Sequence, residues 1–130
     1  MDPKFLTLDE VIEIHGEMIA RYGGSDGIRD KGLLESAVAT PQAGFGGNYL
    51  HSNIFEMSAA YLFHIVKNHP FIDGNKRTGA MAAFVFLKLN KLTLLADEDQ
   101  FERLVIAVAE GKIEKREIAE FLKKRCTKSR

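Results

Sequence analysis

Two neighbouring stretches of the sequence leave little choice of architecture. In Ile54 to Asn68, the residues Ile54, Met57, Ala60, Tyr61, Phe63, His64 and Ile65 nearly surround a helix, which predicts an element buried on almost every side. From Asn75 or Lys76 to Leu89, a second strongly apolar stretch carries Ala80, Ala82, Phe84, Val85 and Leu87, with small residues that permit close packing on the first. These two helices form the expected core, and the polar segment between them is held at one end of it.

The rest of the chain reads as shorter helices around that pair. Thr7 and Glu10 have capping-box spacing, and Val11, Ile12, His15, Met18 and Ile19 follow at helical intervals, predicting a helix from about Leu8 to Tyr22 that Gly23 and Gly24 end. Asp30 is the expected cap of a second helix carrying Leu33, Leu34, Ala37 and Val38, stopped by Thr40 and Pro41. Pro41 to Asn53 holds three glycines with Phe45, Tyr49 and Leu50 and reads as a surface loop, either a docking flap or a connector. Leu92 to Leu95 suits a short extended piece. Asp97 suits the cap of a helix through Phe101, Leu104, Val105 and Val108, and Gly111 stops it. A last helix from about Glu114 to Arg125 shows Ile118, Phe121 and Leu122 on one face, and the basic stretch from Lys123 to Arg130 is expected to fray. With 45% apolar residues and no repeat or linker, the expectation is one all-α domain over residues 1–130.

Lys plus Arg and Asp plus Glu each number 18, so no overall field draws the chain to nucleic acid or to an anionic membrane. Any anion site must therefore be local. The single cysteine, Cys126, has no partner for a disulfide or a thiolate metal site. The beginning MDPKFLTLDEV is acidic where a signal peptide needs an apolar run, and no apolar run spans a bilayer, so a cytoplasmic location is expected.

The reactive side chains concentrate between the two core helices, in His69, Pro70, Phe71, Ile72, Asp73, Gly74, Asn75, Lys76, Arg77, Thr78 and Gly79. Gly74 permits a tight turn beside the free N–H groups and positive dipole end of the following helix, which together make an anion nest. Lys76 and Arg77 add two full charges, Arg77 as a bidentate fork and Lys76 as a mobile point charge, a combination suited to polyphosphate. Asp73, just before the nest, is placed to hold Mg²⁺ against phosphates. His69, with an unperturbed pKa of roughly 6.5, is the natural general base for an attacking hydroxyl. Phe71 is expected to anchor the loop in the core. A purely structural account makes His69 and Asp73 helix caps and Lys76 and Arg77 a solvated first turn. Cations at a helix N-terminus oppose the dipole at about 0.3–1 kcal/mol each, so stability alone would not select them.

Elsewhere, His15, His51 and His64 lie on different elements without ligand spacing. His15 and His64 read as packing residues, and His51 as a loop residue able to approach a substrate. Glu17, Arg21, Asp26 and Arg29 read as surface charges.

The segment HPFIDGNKRTG resembles the signature of the Fic/Doc family: His, any, Phe, any, Asp or Glu, Gly, Asn, Gly, Arg, any, any, Arg. His69, Phe71, Asp73, Gly74, Asn75 and Arg77 match position by position, while Lys76 replaces the second Gly and Ala80 the second Arg. In adenylyl-transferring members those two residues help seat the nucleotide so that its α-phosphate faces the hydroxyl. The run Asn75, Lys76, Arg77, Thr78 instead resembles the Doc branch, the death-on-curing toxins, in which the nucleotide is thought to be reversed and to present its γ-phosphate. LTLDEVIEIHGEMIARYGG and GLLESAVATPQ extend the likeness over roughly the first 95 residues, although Met81 stands where some Doc toxins carry Asn. The resemblance implies a helical bundle with the active-site loop between two central helices and a kinase with ATP as substrate and Mg²⁺ as cofactor. Asn75, Lys76, Arg77 and the Gly74 backbone would hold phosphates, and His69, Asp73, Lys76 and Arg77 would be catalytic. It further implies a host target, by analogy translation elongation factor Tu, and a separate antitoxin. The inhibitory helix of many Fic enzymes carries Ser or Thr, three residues, Glu, then Gly or Asn; its nearest approach is Ser52 to Glu56, followed by Met57. The rivals are an adenylyltransferase and a catalytically silent nucleotide- or partner-binding protein.

Overall fold

The computed structural model describes residues 2–129 and is mostly α. The order is α1 (Leu8–Tyr22), α2 (Lys31–Ala39), a 3₁₀ turn (Thr40–Gln42), β1 (Gly44–Phe45), β2 (Asn48–Tyr49), α3 (Ile54–Asn68) and α4 (Asn75–Leu89). Then come β3 (Leu92–Leu94), α5 (Glu98–Ala109), α6 (Lys115–Arg125) and β4 (Cys126–Lys128).

Local chemistry sets most of the helix starts. The Thr7 side chain accepts from the Glu10 N–H at 3.1 Å and the Glu10 side chain accepts from the Thr7 N–H at 2.9 Å, closing the capping box of α1. Asp30, Asn53 and Asp97 cap α2, α3 and α5 through their side-chain oxygens. Ser52 and Glu56 belong to the α3 cap, with Ser52 Oγ donating to Glu56 Oε2 at 2.7 Å.

The nearly all-round apolar pattern of α3 and α4 has a direct packing reason, because the pair lies between two apolar clusters. On one side Val11 and Met18 of α1, Leu34 and Val38 of α2, and Phe71 meet Met57, Tyr61, Ile65 and Phe86. On the other, Val105 and Val108 of α5 and Ile118 and Leu122 of α6 meet Leu62, Val66, Ala83 and Leu87. Each fully buried large side chain contributes roughly 1.5–3 kcal/mol, so the hairpin draws on both clusters. The two helices touch at Gly79, where a Cβ would lie 2.9 Å from Val66 Cγ2 and 3.2 Å from the Leu62 carbonyl oxygen. Ser58 Oγ donates to the Ala83 carbonyl at 3.0 Å across the same seam.

Two expectations change. The Pro41 to Asn53 loop contains a small antiparallel hairpin, β1 with β2, pairing Gly44 with Tyr49 and Phe45 with Asn48. The basic end, expected to fray over 123–130, is ordered over 123–129. Lys123 to Arg125 complete α6, and β4 pairs with β3, Leu92 opposite Lys128 and Leu94 opposite Cys126. The Ser129 N–H donates to the Lys91 carbonyl and the Leu95 N–H to the Arg125 carbonyl, so backbone pairing with a segment far away in sequence orders it. Arg130 lies outside the described residues. Among the described residues no helix is long and apolar enough to cross a membrane.

Candidate active site

The segment from His69 to Gly74 joins α3 to α4 and is tied down from outside itself. The Pro70 carbonyl accepts from the N–H groups of Arg29 and Asp30 at 2.7 and 3.0 Å, the Ile72 N–H donates to the Gly27 carbonyl at 3.0 Å, and Ile28 bridges Phe71. The connection between α1 and α2 thus runs as a strap along the loop. Phe71 is fully buried, and its ring lies parallel to that of His15, with centroids 3.8 Å apart and planes 4° from parallel.

His69 ends α3 in the left-handed conformation, φ 51° and ψ 53°, which is strained for a residue with a side chain, and its ring is exposed. Asp73 is also exposed. Its Oδ1 accepts from the Gly74 N–H at 2.9 Å and its Oδ2 from the Ser25 N–H at 3.2 Å, so the carboxylate is oriented with lone pairs left over. Gly74 adopts φ 78° and starts α4 with no side-chain cap. The first N–H groups of α4 are therefore open, unlike those of α1, α2, α3 and α5.

Lys76 and Arg77 are exposed in that uncapped first turn. Among the described residues the ion-pair contacts are His15 with Asp26 and Lys112 with Glu110, so neither cation is paired with a carboxylate. Arg77 lies over the Tyr22 ring, 4.4 Å from its centroid, which leaves the guanidinium edge available. Thr78 is buried, so the outward-facing part of the NKRT run is Lys76 and Arg77.

Asn75, expected to hold phosphate, has its side chain engaged within the loop. Its side chain is buried, Oδ1 accepting from the Phe71 N–H at 2.9 Å and Nδ2 donating to the Phe71 carbonyl at 3.0 Å. It closes the loop on itself, and its backbone N–H lies in the uncapped first turn of α4. Asp26 and Arg29 are not ordinary surface charges either. Asp26 Oδ1 lies 3.6 Å from His15 Nδ1, and the Arg29 guanidinium donates to the carbonyls of His69 at 2.6 Å and Asn68 at 3.0 Å. No pattern in the sequence marks those contacts, because Asp26 meets a residue of the preceding helix and the partners of Arg29 lie 39 and 40 residues away.

The other histidines form a separate cluster. Lys115 Nζ lies 2.9 Å from His64 Nε2 and 3.3 Å from His51 Nε2. Burial, and then the neighbouring ammonium, push His64 down to about 4. The same causes lower His51, with Glu56 pulling the other way, and burial lowers Lys115. An ammonium between two imidazoles occupies their lone pairs. Among the described residues no group of His, Cys, Asp or Glu is arranged to hold a metal by itself.

The fold and this loop define a class: a helical domain whose central hairpin presents an uncapped, cationic helix N-terminus beside an exposed histidine and an oriented carboxylate. The chain belongs to the Fic/DOC family, whose model matches residues 5–87, from the residues leading into α1 through most of α4. It is similar to a protein called Toxin Doc from Mycolicibacterium smegmatis, 44% identical over 78 residues, a match that covers 60% of this chain and 60% of that one. It is also similar to a protein called Protein kinase doc from Escherichia phage P1, 31% identical over 121 residues, 93% of this chain and 94% of the relative.

Proposed function

We propose that this chain is a Doc-like toxin, a kinase that transfers the γ-phosphate of ATP to a Ser or Thr hydroxyl of a host protein and thereby blocks translation. The target class, by family analogy, is translation elongation factor Tu, which makes the cytoplasm the site of action. The observation that carries the proposal is the open N-terminus of α4, where Gly74 in the left-handed conformation offers no side-chain cap and two cations follow that pair with no carboxylate among the described residues. Resemblance along nearly the whole chain to a relative whose name is a kinase supports phosphoryl rather than adenylyl transfer. So does Ala80, which packs among apolar residues and adds no charge for an α-phosphate.

The residues divide the chemistry among them. The open N–H groups after Gly74, with Lys76 and Arg77, hold the phosphate oxygens and offset charge as it spreads in the transition state. A ring nitrogen of His69 accepts the hydroxyl proton while that oxygen bonds to the γ-phosphorus, and the bond to ADP breaks with its electron pair leaving on ADP. Asp73 suits Mg²⁺, an ion that takes one or two protein carboxylates and completes its shell with phosphate and water. Its two oxygens each carry one backbone hydrogen bond and retain acceptor capacity. Bound there, Mg²⁺ would neutralise charge on the transferred group. Asn75 acts by shaping the loop. An antitoxin that covers the nucleotide site or the substrate groove in trans completes the proposal.

The purified chain is incubated with Mg²⁺, a cell extract and ATP labelled distinguishably at the α- and γ-phosphates. Label from the γ-position alone should reach protein. Transfer of the α-label would replace the proposal by adenylyl transfer. No transfer, together with undiminished toxicity of His69→Ala, would leave a silent binding protein.

A further inference from the structure

The groups proposed for proton transfer and metal binding, His69 and Asp73, are each held by one side chain from outside the motif. His15, on α1, is buried at 2% exposure, and its Nε2 lies 2.8 Å from the Asp73 carbonyl oxygen. A carbonyl can only accept, so Nε2 carries the proton and donates. The ring also forms the floor of the turn: it stacks on Phe71, and a Cβ added at Gly74 would lie 3.6 Å from Nε2. His15 therefore contacts the loop at Phe71 and at Asp73 and leaves only about a Cβ's width beneath Gly74, while the carboxylate is oriented by Gly74 and Ser25. Asp26 Oδ1, at 3.6 Å from Nδ1, is beyond hydrogen-bond length, so the Asp73 bond is the ring's directional contact.

Arg29 does the corresponding thing at the other end of the loop. Its Nε and Nη2 donate to the His69 and Asn68 carbonyls, two groups that a helix C-terminus leaves without intrahelical partners. The His69 carbonyl can reach the guanidinium while its residue sits at φ 51°, the conformation that also directs the His69 ring. The backbone N–H of Arg29 fixes the next carbonyl, that of Pro70, at 2.7 Å.

We propose that His15 and Arg29 are positioning residues for the motif, His15 setting the place of the Asp73 carboxylate and Arg29 that of the His69 ring. The proposal rests on the phosphoryl-transfer function above for its kinetic consequences, but the geometry it describes does not. Because the two residues hold different reacting groups, their losses should separate, whereas general loosening of the loop would affect both groups together.

His15→Phe keeps the stack on Phe71 and loses the donor, and His15→Gln supplies a donor at the position of Nε2. Arg29→Ala removes both bonds to the end of α3, and Arg29→Lys retains a single donor. In transfer assays His15→Phe should raise the Mg²⁺ concentration for half-maximal rate by about tenfold, the size of one lost hydrogen bond. His15→Gln should return it to within about threefold of wild type. Arg29→Ala should lower kcat by about tenfold or more at saturating Mg²⁺, with the metal requirement within about threefold of wild type, and Arg29→Lys should fall between. Two equilibrium readouts need no turnover. Mn²⁺ binding in the presence of ATP, followed by electron paramagnetic resonance, should weaken about tenfold in His15→Phe and remain unchanged in Arg29→Ala. The His69 ring resonances should move in Arg29→Ala and remain in place in His15→Phe. Equal losses of kcat and metal affinity in both variants, or wild-type metal affinity in His15→Phe with wild-type ring resonances in Arg29→Ala, would overturn the proposal. If the wild-type chain transfers no phosphate, the proposed function fails, and the two equilibrium readouts still decide for or against the positioning roles.

Discussion

At the end of the α3–α4 hairpin, His69 and Lys76 are exposed and Lys76 has no carboxylate partner among the described residues, whereas at the start of α6 the ammonium of Lys115 is wedged between His51 and His64. Both places combine imidazole with ammonium, and the difference lies in what the protein already satisfies. Lys115 gives its protons to two buried-side ring nitrogens, and burial with that charge holds His64 at about 4. The ammonium of that cluster is engaged without a ligand, and His51 Nδ1 is left buried with no hydrogen-bond partner among the described residues. At the hairpin end an uncapped helix start adds partial positive charge to Lys76 and Arg77, and among the described residues no carboxylate pairs with either cation. Unsatisfied positive charge at an exposed, backbone-tied turn is a place for an anion, and satisfied charge is part of the scaffold.

That contrast is most exposed to failure at His69. His69→Ala should lower phosphate transfer by about 10²–10⁴-fold while leaving thermal stability unchanged, measured by γ-label transfer and a melting curve. A similar loss of transfer in His64→Ala would remove the distinction between the two clusters. Lys76→Glu makes the next largest difference and acts in two directions. Transfer should fall by about tenfold or more from the lost charge-assisted contact, while the helix gains about 0.3–1 kcal/mol from an acid at its N-terminus, visible as a raised melting temperature.

The scaffold cluster has its own pH signature. His64 titrates at 6.5 when unfolded and about 4 when folded, so between those values the unfolded chain binds more protons. Its contribution to stability is complete above 6.5 and is lost as pH falls toward 4. His64→Gln should flatten that part of the stability profile, and Lys115→Met should raise the His64 pKa from about 4, followed by NMR titration, because the ammonium helps to hold it down. The smallest effect concerns an ordinary helix start used for comparison with α4. Thr7→Ala should cost about 1 kcal/mol of stability in denaturant unfolding and leave transfer unchanged, since that cap serves only α1.

The helices were legible because their signals are local. The cap of α1 is a contact between residues three apart, and Asp30, Asn53 and Asp97 likewise bond N–H groups within the next three residues. The motif was legible for the same reason, since Gly74, Lys76 and Arg77 lie in one turn. The direction of the Asn75 side chain was not legible, because polarity says nothing about direction; the turn folds its amide inward onto Phe71. Arg29 and Asp26 passed for solvent-facing charges, and the basic end for a loose tail, because their partners are distant along the chain. Arg29 reaches 40 residues to His69, and β4 finds β3 across the whole of α5 and α6.

By itself, then, the sequence determined where helices begin and end, which two are central, and which residues carry charge into the turn between them. All of these follow from interactions within a few residues or from periodicity along one element. Only the tertiary structure decided which of the four histidines stand free and which are engaged, and which outside residues hold the turn. A ring's neighbours come from other helices, and whether its nitrogens meet solvent, an ammonium or a carbonyl depends on how those helices pack.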